Sequence, residues 1–225
     1  MKLIFIFIST CILGSIFAFF FLQFSPKSLT LSYSVPTPVS IPFKFYPEIP
    51  PKESLVGQVS TVSGEILWKS RTATQSSLLE NISEIKQGES LVTKSDSRIS
   101  VRVKDILALQ IFPDSEIAFI QTLPQNIVLH QKTGMVFYNR LGSVPVSVRS
   151  LHLLTNIDGS DLLVTVDSDQ KIIYLDLYSG TVTLAYNDLN YVTTSRTFSS
   201  GVRIIFNDSV RRLTVKKVPP KDQAL

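Results

Sequence analysis

From Gly57 onward the apolar residues recur at every second position. Ile99, Val101 and Val103 alternate with Ser100 and Arg102, and Leu162, Val164 and Val166 alternate with Leu163, Thr165 and Asp167. Ile173, Leu175 and Leu177 lead, after Ser179-Gly180, into Val182, Leu184 and Tyr186; Val202, Ile204 and Phe206 follow Ser200-Gly201. Successive side chains of a strand point to opposite faces, so a period of two buries one face of a sheet and no face of a helix. Val, Ile, Thr, Tyr and Phe, the residues enriched here, suit a half-buried pleated surface. The pattern predicts an all-β fold.

Turn signals punctuate it at Ser63-Gly64, Gln87-Gly88, Pro113-Asp114, Thr133-Gly134, Asp158-Gly159, Ser179-Gly180, Ser200-Gly201 and Asn207-Asp208. Gly accepts positive φ, and Asp, Asn and Ser bond their own backbone, so each is read as a chain reversal between short strands. That spacing fits a sandwich, a barrel or a short solenoid. One brief helical turn is the alternative reading around Ser76 to Ile85.

The N-terminus obeys a different rule. Leu3 to Phe24 is an uncharged, apolar run of 22 residues. About 20 such residues cross a bilayer core. Cleavable signals have a shorter apolar core and small residues at the cut, whereas this run ends in Phe19, Phe20, Phe21 and Phe24. The expectation is an uncleaved signal anchor, with residues 1–2 cytoplasmic and the rest exported. Cys11 falls mid-span, and as the single Cys it excludes a disulfide within the chain. Residues 25–55 hold seven of the twelve prolines and read as an extended linker. A β-domain over 56–209 and a basic strand or tail over 210–225 complete the expected organisation.

Net charge is +4, but Gly57 to Ser209 carries 13 Lys and Arg against 15 Asp and Glu. The positive excess sits in the flanks, at Arg211, Arg212, Lys216, Lys217 and Lys221. Nucleic-acid partners call for a basic stripe on the folded body, so none is expected.

No Gly-rich phosphate loop, nucleophile elbow or metal-ligand spacing occurs, and no catalytic residue, cofactor or metal is assigned. Asp158, Asp161, Asp167, Asp169 and Asp176 cluster in sequence, as calcium loops do, but without EF-hand spacing. His130 and His152 are placed in strands as structural residues. Trp68 either closes the edge of the core or stands exposed as a binding anchor. Arg211, Arg212, Lys216 and Lys217 either meet an anionic surface or form a last edge strand, with Leu213 and Val215 inward and the cations guarding the edge. Trp68, Arg211, Arg212, Lys216 and Lys217 are therefore the candidate binding surface. Asn81-Ile82-Ser83 and Asn207-Asp208-Ser209 match the N-glycosylation triplet.

Several stretches, in order, resemble the FecR domain of bacterial envelope proteins. Gly57-Gln58-Val59 through Val62-Ser63-Gly64-Glu65-Ile66-Leu67-Trp68 is similar to its opening strand pair. Ile85 to Thr93, with Gly88-Glu89, is similar to its l-x-x-G-d-x-l-x-T segment. Ser97 to Val101, Leu109 to Ile117, Gly134-Met135-Val136-Phe137 and Ser179-Gly180-Thr181-Val182 are similar to the strands that follow. The departures are the long 140–157 connection, Gly159-Ser160 where the family has Gly-Thr, and the lack of a second C-terminal domain. The resemblance implies a compact, short-stranded β-solenoid or sandwich outside the cytoplasm, periplasmic or on the cell surface.

In the regulators that name that family, a cytoplasmic segment holds a sigma factor and the periplasmic part receives a receptor's signal. With two residues ahead of the apolar run, no such segment is expected here. The functional expectation is a non-enzymatic, membrane-anchored envelope protein whose domain binds another envelope protein or a surface polymer. The alternative is a signal-sensing regulator acting through a separate membrane partner.

Overall fold

A computed structural model of the chain describes residues 54–80 and 84–220. The apolar run at 3–24, nearly all of the linker, the Asn81 triplet and Lys221 lie outside them. Among the described residues every regular element is a strand, and no helix is long and apolar enough to cross a membrane. The strands are β1 (Gly57–Ser63), β2 (Ile66–Lys69), β3 (Ser77–Leu78), β4 (Glu84–Ile85), β5 (Ser90–Thr93), β6 (Arg98–Val103), β7 (Leu107–Ile111), β8 (Glu116–Leu123), β9 (Asn126–Arg140), β10 (Val146–Ser150), β11 (Leu153–Asp167), β12 (Ile172–Asn187), β13 (Thr193–Ser199), β14 (Val202–Asn207) and β15 (Arg212–Lys217). The fold is all-β. Two short strands, β3 and β4, occupy the ends of the stretch read as a helical turn.

One open sheet runs in the order β15-β14-β12-β11-β10-β9-β7-β6-β1-β4, with β13 on β12 and β8, β5, β2 and β3 branching from β9. Among the described residues only β10 and β9 pair in parallel. The expectation of short strands fails at three places: β9, β11 and β12 are 15, 15 and 16 residues long. Gly134, Gly159 and Gly180, read as reversals, lie inside them with φ of 81°, 58° and 74°. Each is a corner. The strand bends there, carries on, and changes neighbours.

Thus β12 pairs with β14 over Ile172–Leu177 and with β13 over Thr181–Asn187. β11 pairs with β10 before its glycine and with β9 after it. β9 pairs with β8 and β10 before Gly134, then with β7 and β11. The inward phase inverts at every corner. In β12 the buried set passes from Ile173, Leu175 and Leu177 to Val182, Leu184 and Tyr186.

The corners fold the sheet onto itself. Phe206 lies opposite Ile173 in the ladder. In a straight β12, at about 3.3 Å per residue, Ile173 and Tyr186 would stand roughly 43 Å apart. Yet the rings of Tyr186 and Phe206 meet with centroids 5.0 Å apart and planes tilted by 55°. The two halves of β12 therefore face each other across the core, and most inward residues, including Leu129, Val136, Leu175 and Ile204, are completely buried.

Buried serines hold the corners. At Gly134 an added Cβ would overlap Ser115 and the Asp114 carbonyl, and at Gly180 it would overlap Gly159 and Ser160. The Ser115 hydroxyl accepts the Met135 N–H at 2.8 Å, and the Ser160 hydroxyl donates to the Thr181 carbonyl at 2.6 Å. Ser97 does the same beside Gly64, accepting the Glu65 N–H at 2.8 Å. A left-handed glycine takes the next peptide out of its ladder, and the serine satisfies the polar group set loose.

A polar bridge spans the Gly134 corner inside the core. The Gln131 amide donates to the Gly134 and Val164 carbonyls at 2.9 and 3.0 Å, and its oxygen accepts the Tyr138 hydroxyl at 2.9 Å.

Candidate functional site

A cleft of about 470 Å³ opens where three chain reversals meet. The β10–β11 turn brings Arg149, His152 and Leu154, the β12–β13 loop brings Asp188 and Tyr191, and the β14–β15 turn brings Arg211. His152 lies in the two-residue turn rather than in a strand, because Leu151 adopts a φ of 49° and reverses the chain there.

Asp208 ties two of the reversals together. Its carboxylate accepts the His152 backbone N–H at 3.2 Å and faces the ring Nδ1 at 2.9 Å. Arg211 stands 3.4 Å from the same carboxylate. Asp208 is buried while the His152 side chain is mostly exposed, so the buried carboxylate is met by the His152 amide and ring and by the Arg211 cation. Among the described residues no hydroxyl or thiol bonds the second ring nitrogen of His152. This His–Asp pair fastens two turns.

The β12–β13 loop turns apolar side chains outward: Leu189 is 66% exposed, Tyr191 86% and Val192 60%, and Tyr191 lines the cleft together with Leu154 of β11, itself 42% exposed. The loop is nonetheless well held. The Asp188 carboxylate accepts the Asn190 and Val192 N–H groups at 2.8 and 2.9 Å, and the Asp188 N–H returns to the Val192 carbonyl at 2.9 Å. A loop that presents an aromatic and two aliphatic side chains from a hydrogen-bonded frame loses little freedom on binding.

The residues singled out in the sequence divide between three places. Arg211 lies in the cleft. Arg212, Lys216 and Lys217 are exposed on β15, which among the described residues pairs with β14 alone. Trp68 sits on β2, half-buried against the core, with its indole N–H donating to Glu89 at 3.1 Å. β2 shares no pairing with β14 or β15. Of the pair expected to point inward from β15, Leu213 is half-buried but Val215 is 47% exposed. Val215 lies opposite the fully buried Ile204, so the edge strand overhangs the layer that covers its neighbour.

The clustered aspartates disperse on folding. Asp158 pairs with Arg140, Asp161 accepts the Asn139 amide at 2.8 Å, and Asp167 caps the turn at Asp169 and Gln170. Asp176 is buried and grips Arg203 through both oxygens at 2.5 Å. No three His, Cys, Asp or Glu among the described residues converge as a metal site. His130, on β9, lies opposite Arg149 of β10. Burial pushes its pKa below the ordinary 6.5, the charges of Arg149 and Lys132 add to the fall, and Glu116 opposes it.

Sequence reasoning missed Arg149, Asp208 and the Asp188–Val192 loop as a site. That loop carries no glycine or proline, and the available signal was an apolar run, Leu189, Tyr191 and Val192, set among Asn and Asp.

No family model and no curated protein matches the chain. Among solved structures it is similar to a candidate anti-sigma factor from Parabacteroides distasonis, seen in two crystal structures at 2.50 and 1.65 Å resolution. Each match has a TM-score of 0.52 at 12% identity and covers 60% of this chain and 62% of that one. The chain thus spans under two thirds of that protein's length, and what the two share is the fold.

Proposed function

We propose that this chain is an envelope protein whose FecR-like β-domain, a sheet folded into a compact solenoid or sandwich, binds a protein partner and passes on a signal. The fold it shares with a candidate anti-sigma factor carries this reading. Residues 3–24 anchor it in the membrane, residues 1–2 stay in the cytoplasm, and the domain stands outside. The reaction class is binding without catalysis, and the cleft between the β10–β11 turn and the Asp188–Val192 loop supplies a contact surface. An exposed, preorganised Tyr191 beside Arg149 and Arg211 is the composition that interface centres favour. A surface polymer is the other class of partner.

The test uses the full-length chain in its own host. An impermeant label applied to intact cells or spheroplasts reaches Lys216 and Lys217 in the wild type. Envelope crosslinking then compares the wild type with a Leu189→Ser, Tyr191→Ser double variant. A discrete crosslinked partner, lost in the variant while the domain keeps its melting temperature, supports the reading. Unlabelled lysines, or crosslinking that yields no partner above background, overturns it.

A further inference from the structure

We propose that β15 is a docking edge for an extended segment of a partner protein in which acidic and apolar residues alternate. The inference rests on the partner-binding reading above and names the chemistry that partner must bring.

Four strands have a single pairing partner among the described residues: β3, β4, β13 and β15. β3 and β4 are two residues each, too short to seat a further strand. β13 carries one charge, Arg196, among Thr, Ser and Phe. β15 is different. Three of its six residues are cations and none is acidic. Its outer side presents backbone N–H and C=O groups that another strand can pair.

The register shows what the next strand must carry. Across three strands, Asp176 of β12 lies opposite Arg203 of β14, which lies opposite Lys216 of β15. Both oxygens of Asp176 are occupied by Arg203. The row therefore holds two cations on one carboxylate, and Lys216 is its exposed end. Arg212 lies on the same face, four residues back. A strand laid beside β15 places one side chain directly opposite Lys216, and an Asp or Glu there completes the row.

The other face of β15 carries Leu213 and Val215, with the exposed Lys217 at its end opposite Val202, and it is also unfinished. Leu213 and Val215 lie opposite the fully buried Phe206 and Ile204, yet Val215 is 47% exposed. A neighbouring strand with an apolar residue in that position extends the core by one column. Two faces thus ask for two alternating residue types, acidic outside and apolar inside. A second copy of β15 does not fit: the fully overlapped antiparallel pairing sets Arg212 opposite Lys217, cation on cation.

The test measures amide hydrogen exchange over Arg212–Lys217 in the full-length chain in detergent. The probes are three synthetic heptapeptides: alternating Glu and Val, alternating Lys and Val, and the Glu/Val composition in block order. The alternating Glu/Val peptide is expected to slow exchange in β15, and the other two to leave it unchanged. In Lys216→Glu, an exposed substitution that leaves the melting temperature in place, the preference moves about tenfold from the Glu toward the Lys peptide.

Unslowed exchange with the Glu/Val peptide, equal slowing by all three, or an unchanged preference in Lys216→Glu overturns the proposal. So does protection of β15 without peptide, by a second copy or by the chain's own residues. A chain that captures a partner in envelopes while β15 stays unprotected loses this inference and keeps the functional reading. A chain that selects the Glu/Val peptide yet captures no partner does the reverse.

Discussion

The carboxylate of Asp208 holds both the backbone amide and the ring of His152, 56 residues earlier in the chain. It fastens the β14–β15 turn onto the β10–β11 turn, at the end of the folded sheet where the cleft opens. Asp208→Ala removes the acceptor from two turns and leaves Arg211 without its counter-ion. The expected loss is about 1–3 kcal/mol, read from urea unfolding, with a smaller loss for His152→Ala because that ring is mostly exposed. Equal losses would mean that the ring, and not the amide, carries the link.

The glycine corners rank by what surrounds them. Gly134→Ala and Gly180→Ala each put a Cβ into neighbouring backbone at a left-handed φ, whereas at Gly159 no atom lies within 4 Å of the new Cβ. Gly159→Ala is expected to lose only the conformational term, about 1–2 kcal/mol. The other two lose more and lower the melting temperature further. Thermal unfolding of the three variants checks the order.

Tyr138 and Gln131 form a second measurable pair. Tyr138→Phe leaves the Gln131 side-chain oxygen buried without its donor, for an expected loss of about 1–3 kcal/mol. Burial also pushes the Tyr138 phenol well above its ordinary 10. A tyrosine raised in the folded state stabilises fully below pH 10 and loses that contribution as pH climbs beyond it. Ultraviolet titration should therefore find one tyrosine that ionises only when the domain unfolds.

His130 produces the opposite slope. Its pKa is depressed on folding, so the unfolded chain takes up the proton first. The contribution is intact above about pH 6.5 and is lost as pH falls through that value toward the lower folded one. His130→Gln flattens the slope on the acid side. Arg149→Gln, which removes a facing cation, raises the His130 pKa in an NMR titration and leaves Lys132 and Glu116 in place.

The alternation of Val, Ile and Leu was enough to read the inward faces of β6, β11, β12 and β14, although Val202 is only half-buried and Leu163 and Asp176 are buried out of phase. It was not enough to tell a corner from a reversal. A two-residue hairpin and a left-handed glycine both invert the inward phase. Ser179-Gly180 therefore looks the same in one dimension whether the chain turns back or carries on around the core. The deciding partners, Ser115 for Gly134 and Ser160 for Gly180, are about 20 residues away in sequence. The cleft was less legible still. Arg211 stood out because it belongs to a basic run. Asp208 read as an ordinary turn residue, and its link to His152 exists only once the sheet has folded over.

Three continuous strands each belong to both layers of this domain. A tug on either layer passes along covalent backbone into the other, with no linker between them to stretch first. The backbone itself thus couples the two layers, and no flexible joint separates them.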